Sequence, residues 1–376
     1  MKIEVKKSDI VDILSNLKEV KEKFWFSGSI FLSAQKNKGI FMIFDDFSWH
    51  NDQDGIKMQI EVEGKVINEG YIEISNIQLV ALIFVLYSQS RELINLKYKN
   101  ENLILETSKT EYRFTTNTRN FESSNIVYKY PEDAMLKIDQ AKFKKMLNYV
   151  DFACLNRNKL GYKAQNGVKV ELLHKEVRLI ATNYHHLAFY STKLEKGSFL
   201  QSGVLPKRTV FLLGRLLNYK GELFISKYKD KVVFKSDKFT LISALIKDDF
   251  PYYEKIISNL DIKCKIEISK RELIRMLKHA ELINDKFDPI IFDINNDTLF
   301  VRAKPNEDKK FSGEYQVNKQ GEDVEVGFSP SYALELLNTI KEENIIIKFA
   351  EDEDPIIFES SSIPGYRYIL MPIKEV

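Results

Sequence analysis

At 376 residues, with 44% hydrophobic and 29% charged side chains, the chain has the length for two or three globular domains, each able to bury its own core. Its 56 basic and 54 acidic residues nearly cancel, so net charge selects no partner, and any nucleic-acid contact must come from segregating charge onto one surface. Cys154 and Cys264 stand too far apart for a zinc-holding CxxC pair and fit a reduced cytoplasm, while the charged start and the short apolar run 79–87 give no sign of a signal peptide or membrane span.

In chain order, a helix is expected to open at Ser8, with Ile10, Ile13, Leu14 and Leu17 three and four apart. Alternating strand-like residues follow over 29–44, then a second helix over 75–87, then a three-strand meander over 94–116. The same order returns: a helix from Asp139 (Phe143, Met146, Leu147, Val150), strands over 168–182, a helix over 206–217 with Pro in its first turn, and a meander over 223–246. It returns again from Ser269 (Leu273, Met276, Leu277, Ala280), where Ser269-Lys-Arg-Glu272 reads as a capping box. Strands over 289–303, a helix over 330–340 capped by Ser329, and a meander over 345–373 complete it. The three starts lie 131 and 130 residues apart, a spacing that predicts three similar units joined by connectors over 124–133 and 249–257.

Three of the six expected helices are basic: Lys142, Lys144 and Lys145; Lys207, Arg208 and Arg215; Lys270, Arg271, Arg275 and Lys278. Arg271, Arg275 and Lys278 fall on one stripe opposite Leu273, Leu277 and Ala280. Without aromatic or base-reading Asn and Gln partners, such stripes suit phosphate backbones and not base sequence; the plainer reading is a solvated face. The helix over 75–87 departs from the pattern, being nearly all apolar with no basic residue.

Nucleotide-loop, nucleophile-elbow and zinc-protease motifs do not occur. Asp45-Asp46 and the run from Glu351 to Asp354 are acidic turns before they are metal sites, so a metal-dependent nuclease is a distant alternative. His185-His186 invites a metal or catalytic reading, yet His50, His174 and His279 sit in contexts with no carboxylate at ligand spacing, and the histidines read as structural or pocket-lining. The chain reads as a non-enzyme.

Two segments carry a family resemblance: Ser362-Ile-Pro-Gly-Tyr-Arg-Tyr-Ile-Leu-Met-Pro-Ile-Lys-Glu375 and Thr182-Asn-Tyr-His-His-Leu-Ala188. With Val204-Leu-Pro-Lys-Arg208, Leu245-Ile-Lys-Asp-Asp-Phe-Pro251 and Val326-Gly-Phe-Ser-Pro-Ser-Tyr332, they resemble the bacterial DNA polymerase III beta subunit, the sliding clamp, clearly from about Ala134 onward. The resemblance implies an α+β fold of three structurally similar DNA-clamp domains, here 1–128, 129–253 and 254–376. Each would have two helices packed on antiparallel sheets, and a head-to-tail homodimer would close them into a ring around double-stranded DNA, blind to sequence.

It also implies roles for residues. Lys142, Lys145, Lys207, Arg208, Arg215, Arg271, Arg275 and Lys278 would face DNA. Thr182, Tyr184, His185, His186, Leu187, Pro251, Ile256, Ser329, Tyr332, Pro355, Ile369, Leu370, Met371, Pro372 and Ile373 would frame a groove for short peptide motifs of a DNA polymerase and an ATP-using clamp loader. Tyr112 and Phe114 would meet Glu281-Leu282 where the ring closes. The clamp itself needs no cofactor, and its place is the cytoplasm. Tyr184 stands where the family has Gly, His186 where it commonly has Arg, and Glu281 in an otherwise apolar pair. Tyr184, Glu281 and the uncharged helix over 75–87 favour, as the alternative, an accessory paralogue acting as a peptide-binding adaptor that does not encircle DNA.

Overall fold

The computed structural model describes residues 1–24, 29–36, 39–45, 55–88, 92–106, 110–116, 136–154, 164–194, 201–217, 220–258, 260–282, 288–303, 311–351 and 353–373. The first third of the chain runs β1 (Lys2–Lys6), α1 (Lys7–Phe24), β2 (Ser29–Gln35), β3 (Gly39–Asp45), β4 (Ile56–Val62), β5 (Gly64–Asn68), β6 (Gly70–Ile74), α2 (Asn76–Ser88), β7 (Leu93–Lys99), β8 (Asn102–Glu106) and β9 (Glu111–Thr115). The middle third follows with β10 (Leu136–Asp139), α3 (Gln140–Asn148), β11 (Gly167–Leu173), β12 (Glu176–Thr182), β13 (His186–Lys193), β14 (Gln201–Pro206), α4 (Lys207–Leu216), β15 (Glu222–Tyr228), β16 (Lys231–Lys235) and β17 (Phe239–Ala244). After the short α5 (Glu254–Ile257) come β18 (Cys264–Ser269), α6 (Lys270–Glu281), β19 (Ile290–Asn295), β20 (Thr298–Ala303), β21 (Ser312–Gln316), β22 (Asn318–Gly321), β23 (Val324–Phe328), α7 (Pro330–Thr339), β24 (Asn344–Phe349), β25 (Ile356–Glu359) and β26 (Tyr366–Leu370). Each third therefore repeats strand, helix, strands, helix and three-strand meander, with one strand before each first helix that periodicity alone does not announce.

These elements form two compact units, one of residues 1–144 and 205–247, the other of 145–204 and 248–376. In the first, one antiparallel sheet has the order β5-β1-β7-β8-β9 and the other β10-β15-β16-β17-β4-β3-β2-β6. The second sheet is continuous because β17 pairs with β4, Leu241 opposite Met58 and Phe239 opposite Ile60, joining a strand of the middle third to one of the first. Ile10, Ile13, Leu14 and Leu17 of α1 are all buried, the outcome their spacing predicts.

In the second unit, a nine-stranded sheet has the order β14-β11-β12-β13-β26-β25-β24-β18-β22 and a four-stranded sheet the order β21-β20-β19-β23. Leu273, Met276, Leu277 and Ala280 of α6 are buried, as are Ala333, Leu334, Leu336 and Leu337 of α7. Edge-to-face contacts run from Phe292 to Phe328 at 4.7 Å and from Phe328 to Phe358 at 6.4 Å between ring centroids.

Helix starts divide by mechanism. Asp139 caps α3, its Oδ1 accepting the Lys142 amide at 2.8 Å. A reciprocal capping box forms at α2, where Gln78 Oε1 accepts the Ser75 amide at 2.8 Å and Ser75 Oγ accepts the Gln78 amide at 3.3 Å. The box expected at Ser269 does not form, since no side-chain bond caps α6; the first-turn amide of Lys270 donates to the Glu343 carbonyl at 2.7 Å. Ser329 likewise makes no side-chain cap at α7, where Pro330 occupies the first turn and leaves one amide fewer to satisfy.

Candidate functional site

The expected groove residues lie in the second unit and are assembled by one strand pairing. β12 ends at Thr182, β13 begins at His186, and β13 pairs with β26 so that His186 faces Leu370 and Leu187 faces Ile369. The turn between β12 and β13 is built by its own side chains. Asn183 Oδ1 accepts the amides of His185 at 3.0 Å and His186 at 3.1 Å, while Thr182 Oγ1 accepts the Tyr184 amide at 3.1 Å and donates to the His186 carbonyl at 2.7 Å. This wiring holds Tyr184 at φ +76°, a left-handed conformation that explains why glycine suits the position. Beyond β26 the chain continues the assembly: the Met371 amide donates to the His185 carbonyl at 2.9 Å and the Ile373 amide to the Gly327 carbonyl at 2.8 Å. A Cβ at Gly327 would stand 2.7 Å from the Ile373 carbonyl oxygen, so this close approach requires glycine.

The structure divides the expected lining into floor and rim. Thr182, His186, Leu187, Ser329, Pro355, Ile369 and Leu370 are buried and form the floor. The reason is sheet geometry: Leu187 and Ile369 are cross-strand partners and enter a core with Ile180, Phe189, Tyr253 and Ile357. Exposed or half-buried are Tyr184, His185, Pro251, Ile256, Tyr332, Met371, Pro372 and Ile373. Ile256 packs against that core together with Phe250, Ile257 and Leu260.

A buried network that the sequence does not announce holds this last segment in place. The Tyr253 hydroxyl donates to Glu171 Oε2 at 2.5 Å, Lys169 pairs with Glu171 at 2.7 Å, and the Lys169 ammonium lies over the Phe250 and Tyr253 rings at 5.5 and 5.1 Å. Burial, then the Glu171 carboxylate, pushes the Tyr253 phenol far above its usual range, so it stays a donor. Lys169 and Glu171 sit on a strand remote in sequence from Tyr253, and no local pattern marks them.

His186 is a packing residue. Its ring stacks on Tyr332 at 4.5 Å and lies 6.2 Å from Phe152. The Tyr368 hydroxyl spends its proton on the Tyr332 carbonyl at 2.9 Å, so the 2.9 Å contact with His186 is donated by Nδ1–H. Burial, with a smaller contribution from neighbouring His185, lowers the His186 pKa to about 3, and the ring is neutral. His185 stacks on the same Tyr332 ring at 5.7 Å. Among the described residues no group of His, Cys, Asp and Glu is placed to hold a metal ion; Asp46, His50 and Asp352 lie outside the described residues.

The basic helices keep most of their expected charge on the surface. Lys142 and Lys145 of α3 are exposed, and so are Arg271, Arg275 and Lys278 of α6. Arg215 of α4 is exposed, lies over the Phe211 ring at 5.2 Å and pairs with Glu19 of α1 at 2.8 Å. Lys207 is half-buried. Arg208 is the correction: it is 8% exposed, because it falls on the face of α4 that buries Thr209, Leu212 and Leu216.

The residues expected at ring closure also resolve individually. Tyr112 and Phe114 are half-buried on β9, the terminal strand of its sheet. Leu282 is 76% exposed at the end of α6, and Glu281 Oε1 accepts the Ser331 hydroxyl at 3.0 Å. Sequence reasoning misses a further apolar surface: Val80, Phe84 and Tyr87 of α2 are exposed at i, i+4 and i+7. The signal is present in the sequence, where a helix without charge leaves apolar residues on every face. Gln78 Nε2 also donates to the Thr115 carbonyl, tying the start of α2 to β9.

Comparison with known proteins places the chain in a family. Residues 137–252 match the model of the DNA polymerase III beta subunit central domain, and residues 260–374 that of its C-terminal domain. The chain is 25% identical to a beta sliding clamp of Pseudomonas aeruginosa over 85% of its own length and 88% of the relative's. It is 28% identical to one of Buchnera aphidicola over 56% of its length and 57% of the relative's. Among solved structures, the beta subunit of DNA polymerase III from Thermotoga maritima superposes with a TM-score of 0.84 at 19% identity, covering 100% of both chains. That from Pseudomonas aeruginosa gives 0.83 at 20% identity, again over 100% of both. With two domain models of one family in the right order and relatives matching along most of the chain, the protein belongs to the DNA polymerase III beta subunit family, and its function is that of a beta sliding clamp, a non-catalytic processivity subunit.

Proposed function

We propose that the chain acts as three clamp domains, 1–128, 129–253 and 254–376, that pair head to tail with a second copy into a cytoplasmic ring around duplex DNA. Lys142, Lys145, Lys207, Arg215, Arg271, Arg275 and Lys278 line its hole and neutralise phosphates without reading bases. A closed ring cannot leave DNA sideways, so weak contacts suffice for sliding. Polymerase and clamp loader dock through short peptides on the rim formed by Tyr184, His185, Tyr332, Met371, Pro372 and Ile373.

One observation carries this reading: two segments nearly 190 residues apart, 182–187 and 369–373, are brought side by side by the pairing of β13 with β26 and by the Met371 amide on the His185 carbonyl. Met371, half-buried and conformationally adaptable, suits varied peptide side chains. Ring closure is supported by two exposed edges and their apolar neighbours. β9 and β21 each end a sheet, and Leu282 and the Val80, Phe84, Tyr87 stripe offer large apolar side chains to a partner. The adaptor alternative loses part of its motive, since Glu281 bonds to Ser331 of its own chain.

The deciding experiment is titration of a fluorescein-labelled Gln-Ala-Ala-Leu-Phe peptide. Saturable binding that Met371→Asp removes is the expected result. Binding that is absent, or indifferent to that substitution, overturns the assignment of this groove.

A further inference from the structure

Tyr184 combines features that need a common explanation. The residue is 66% exposed, its backbone sits at φ +76°, and its hydroxyl accepts a hydrogen bond from Gln165 Nε2. Packing does not hold a residue so exposed, and the left-handed backbone is one that residues with a Cβ rarely adopt. Thr182 and Asn183 fix the backbone of the turn; Gln165 fixes the ring.

Gln165 itself is placed firmly. It is 5% exposed in a 3-10 turn, Ala164–Asn166, that leads directly into β11. β11 pairs with β12 with Lys169 opposite Ile180, and extending that antiparallel register by two residues sets Gly167 beside Thr182. Gln165 therefore stands just beyond Thr182 on the β11 side of the turn, and its bond to the Tyr184 hydroxyl fixes where the ring lies at the Thr182 end.

We propose that Gln165 is a positioning residue for Tyr184, and that the tethered ring closes the Thr182 end of the peptide groove against bulky anchor side chains. The proposal rests on the peptide-binding reading of this groove and adds a specificity device to it. Breaking the tether frees the ring to swing out and opens the groove to a large apolar anchor.

A double-mutant cycle tests it, with Gln-Ala-Ala-Leu-Phe and its anchor-free counterpart Gln-Ala-Ala-Ala-Ala as probes. Gln165→Met removes the donor at similar volume, Tyr184→Phe removes the acceptor and keeps the ring, and Tyr184→Gly removes the ring. The first two are expected to tighten the Phe-bearing peptide by about two- to tenfold, the range of one hydrogen bond, and Gln165→Met, which lies off the rim, to change the anchor-free peptide less than about twofold. In the Tyr184→Gly background, Gln165→Met should add less than about twofold, because there is nothing left to position. An equal effect of Gln165→Met in both backgrounds overturns the tether, as does unchanged or weakened affinity in Gln165→Met and Tyr184→Phe alike. Failure of every form, wild type included, to bind the Phe-bearing peptide overturns the groove assignment and this proposal with it; binding without coupling overturns this proposal alone.

Discussion

Burial of His186 between Phe152, Tyr332 and Tyr368 makes its protonation unfavourable for the folded state. Its pKa falls from an ordinary 6.5 to about 3 on folding, so the native ring stays neutral where the unfolded ring takes up a proton. Stability from this group is complete above pH 6.5 and declines as pH drops between 6.5 and 3, by about 1.4 kcal/mol per pH unit. Urea unfolding at pH 7 and pH 5 should show wild type losing about 2 kcal/mol more than His186→Gln; equal losses would mean that the imidazole is solvated. At this scale the sequence is half legible. The two adjacent histidines already read as structural or pocket-lining, and Tyr184 at a glycine position already marks an unusual turn. The partners of both are hidden, since Tyr332, Tyr368 and Gln165 reach them through tertiary pairing, which leaves no mark on local spacing.

The helices show which physical signals survive in a linear sequence. Burial of every third and fourth residue in α1, α3 and α6 follows from apolar spacing alone, because a helix face is a local property. Capping is less local: Ser269 has the right residues around it, yet its side chain caps nothing, and the start of α6 is tied down by the Lys270 amide on the Glu343 carbonyl just before β24. The exposed stripe of α6 gives a charge prediction. Replacing Arg271, Arg275 and Lys278 with Glu should weaken binding to any duplex sequence equally and lower the slope of log affinity against log salt by about 0.9 for each phosphate no longer neutralised. Fluorescence anisotropy across a salt series measures it, and an unchanged slope would put the stripe on an outer face. The stripe of α2 predicts the opposite chemistry. Phe84→Asp should leave duplex binding by the helix surfaces intact while splitting a dimer into monomers, and sedimentation velocity separates those outcomes.

For the whole molecule, the threefold order of elements is readable from starts 131 and 130 residues apart, because each repeat is a local succession of patterns. The way the chain divides into compact units is not. Long-range pairing of β17 with β4 and of β13 with β26 joins strands from different thirds, and pairing register carries no local signature. The same limitation applies to assembly, where Leu282 gives the sharpest test. A large apolar side chain left 76% exposed at the end of α6 is available for a buried contact with a second copy. Burying a leucine is worth about 1.5–3 kcal/mol, and a head-to-tail ring of two chains buries it twice, so its removal should cost about 3–6 kcal/mol, two to four decades in dimer affinity. A carboxylate adds a desolvation penalty to that cost. Sedimentation equilibrium at micromolar concentration should therefore find wild type at twice the 43.9 kDa of one chain and Leu282→Asp at the monomer mass. A wild-type monomer at every concentration would sink the ring, whereas a Leu282→Asp dimer as tight as wild type would keep the ring and move its seam elsewhere.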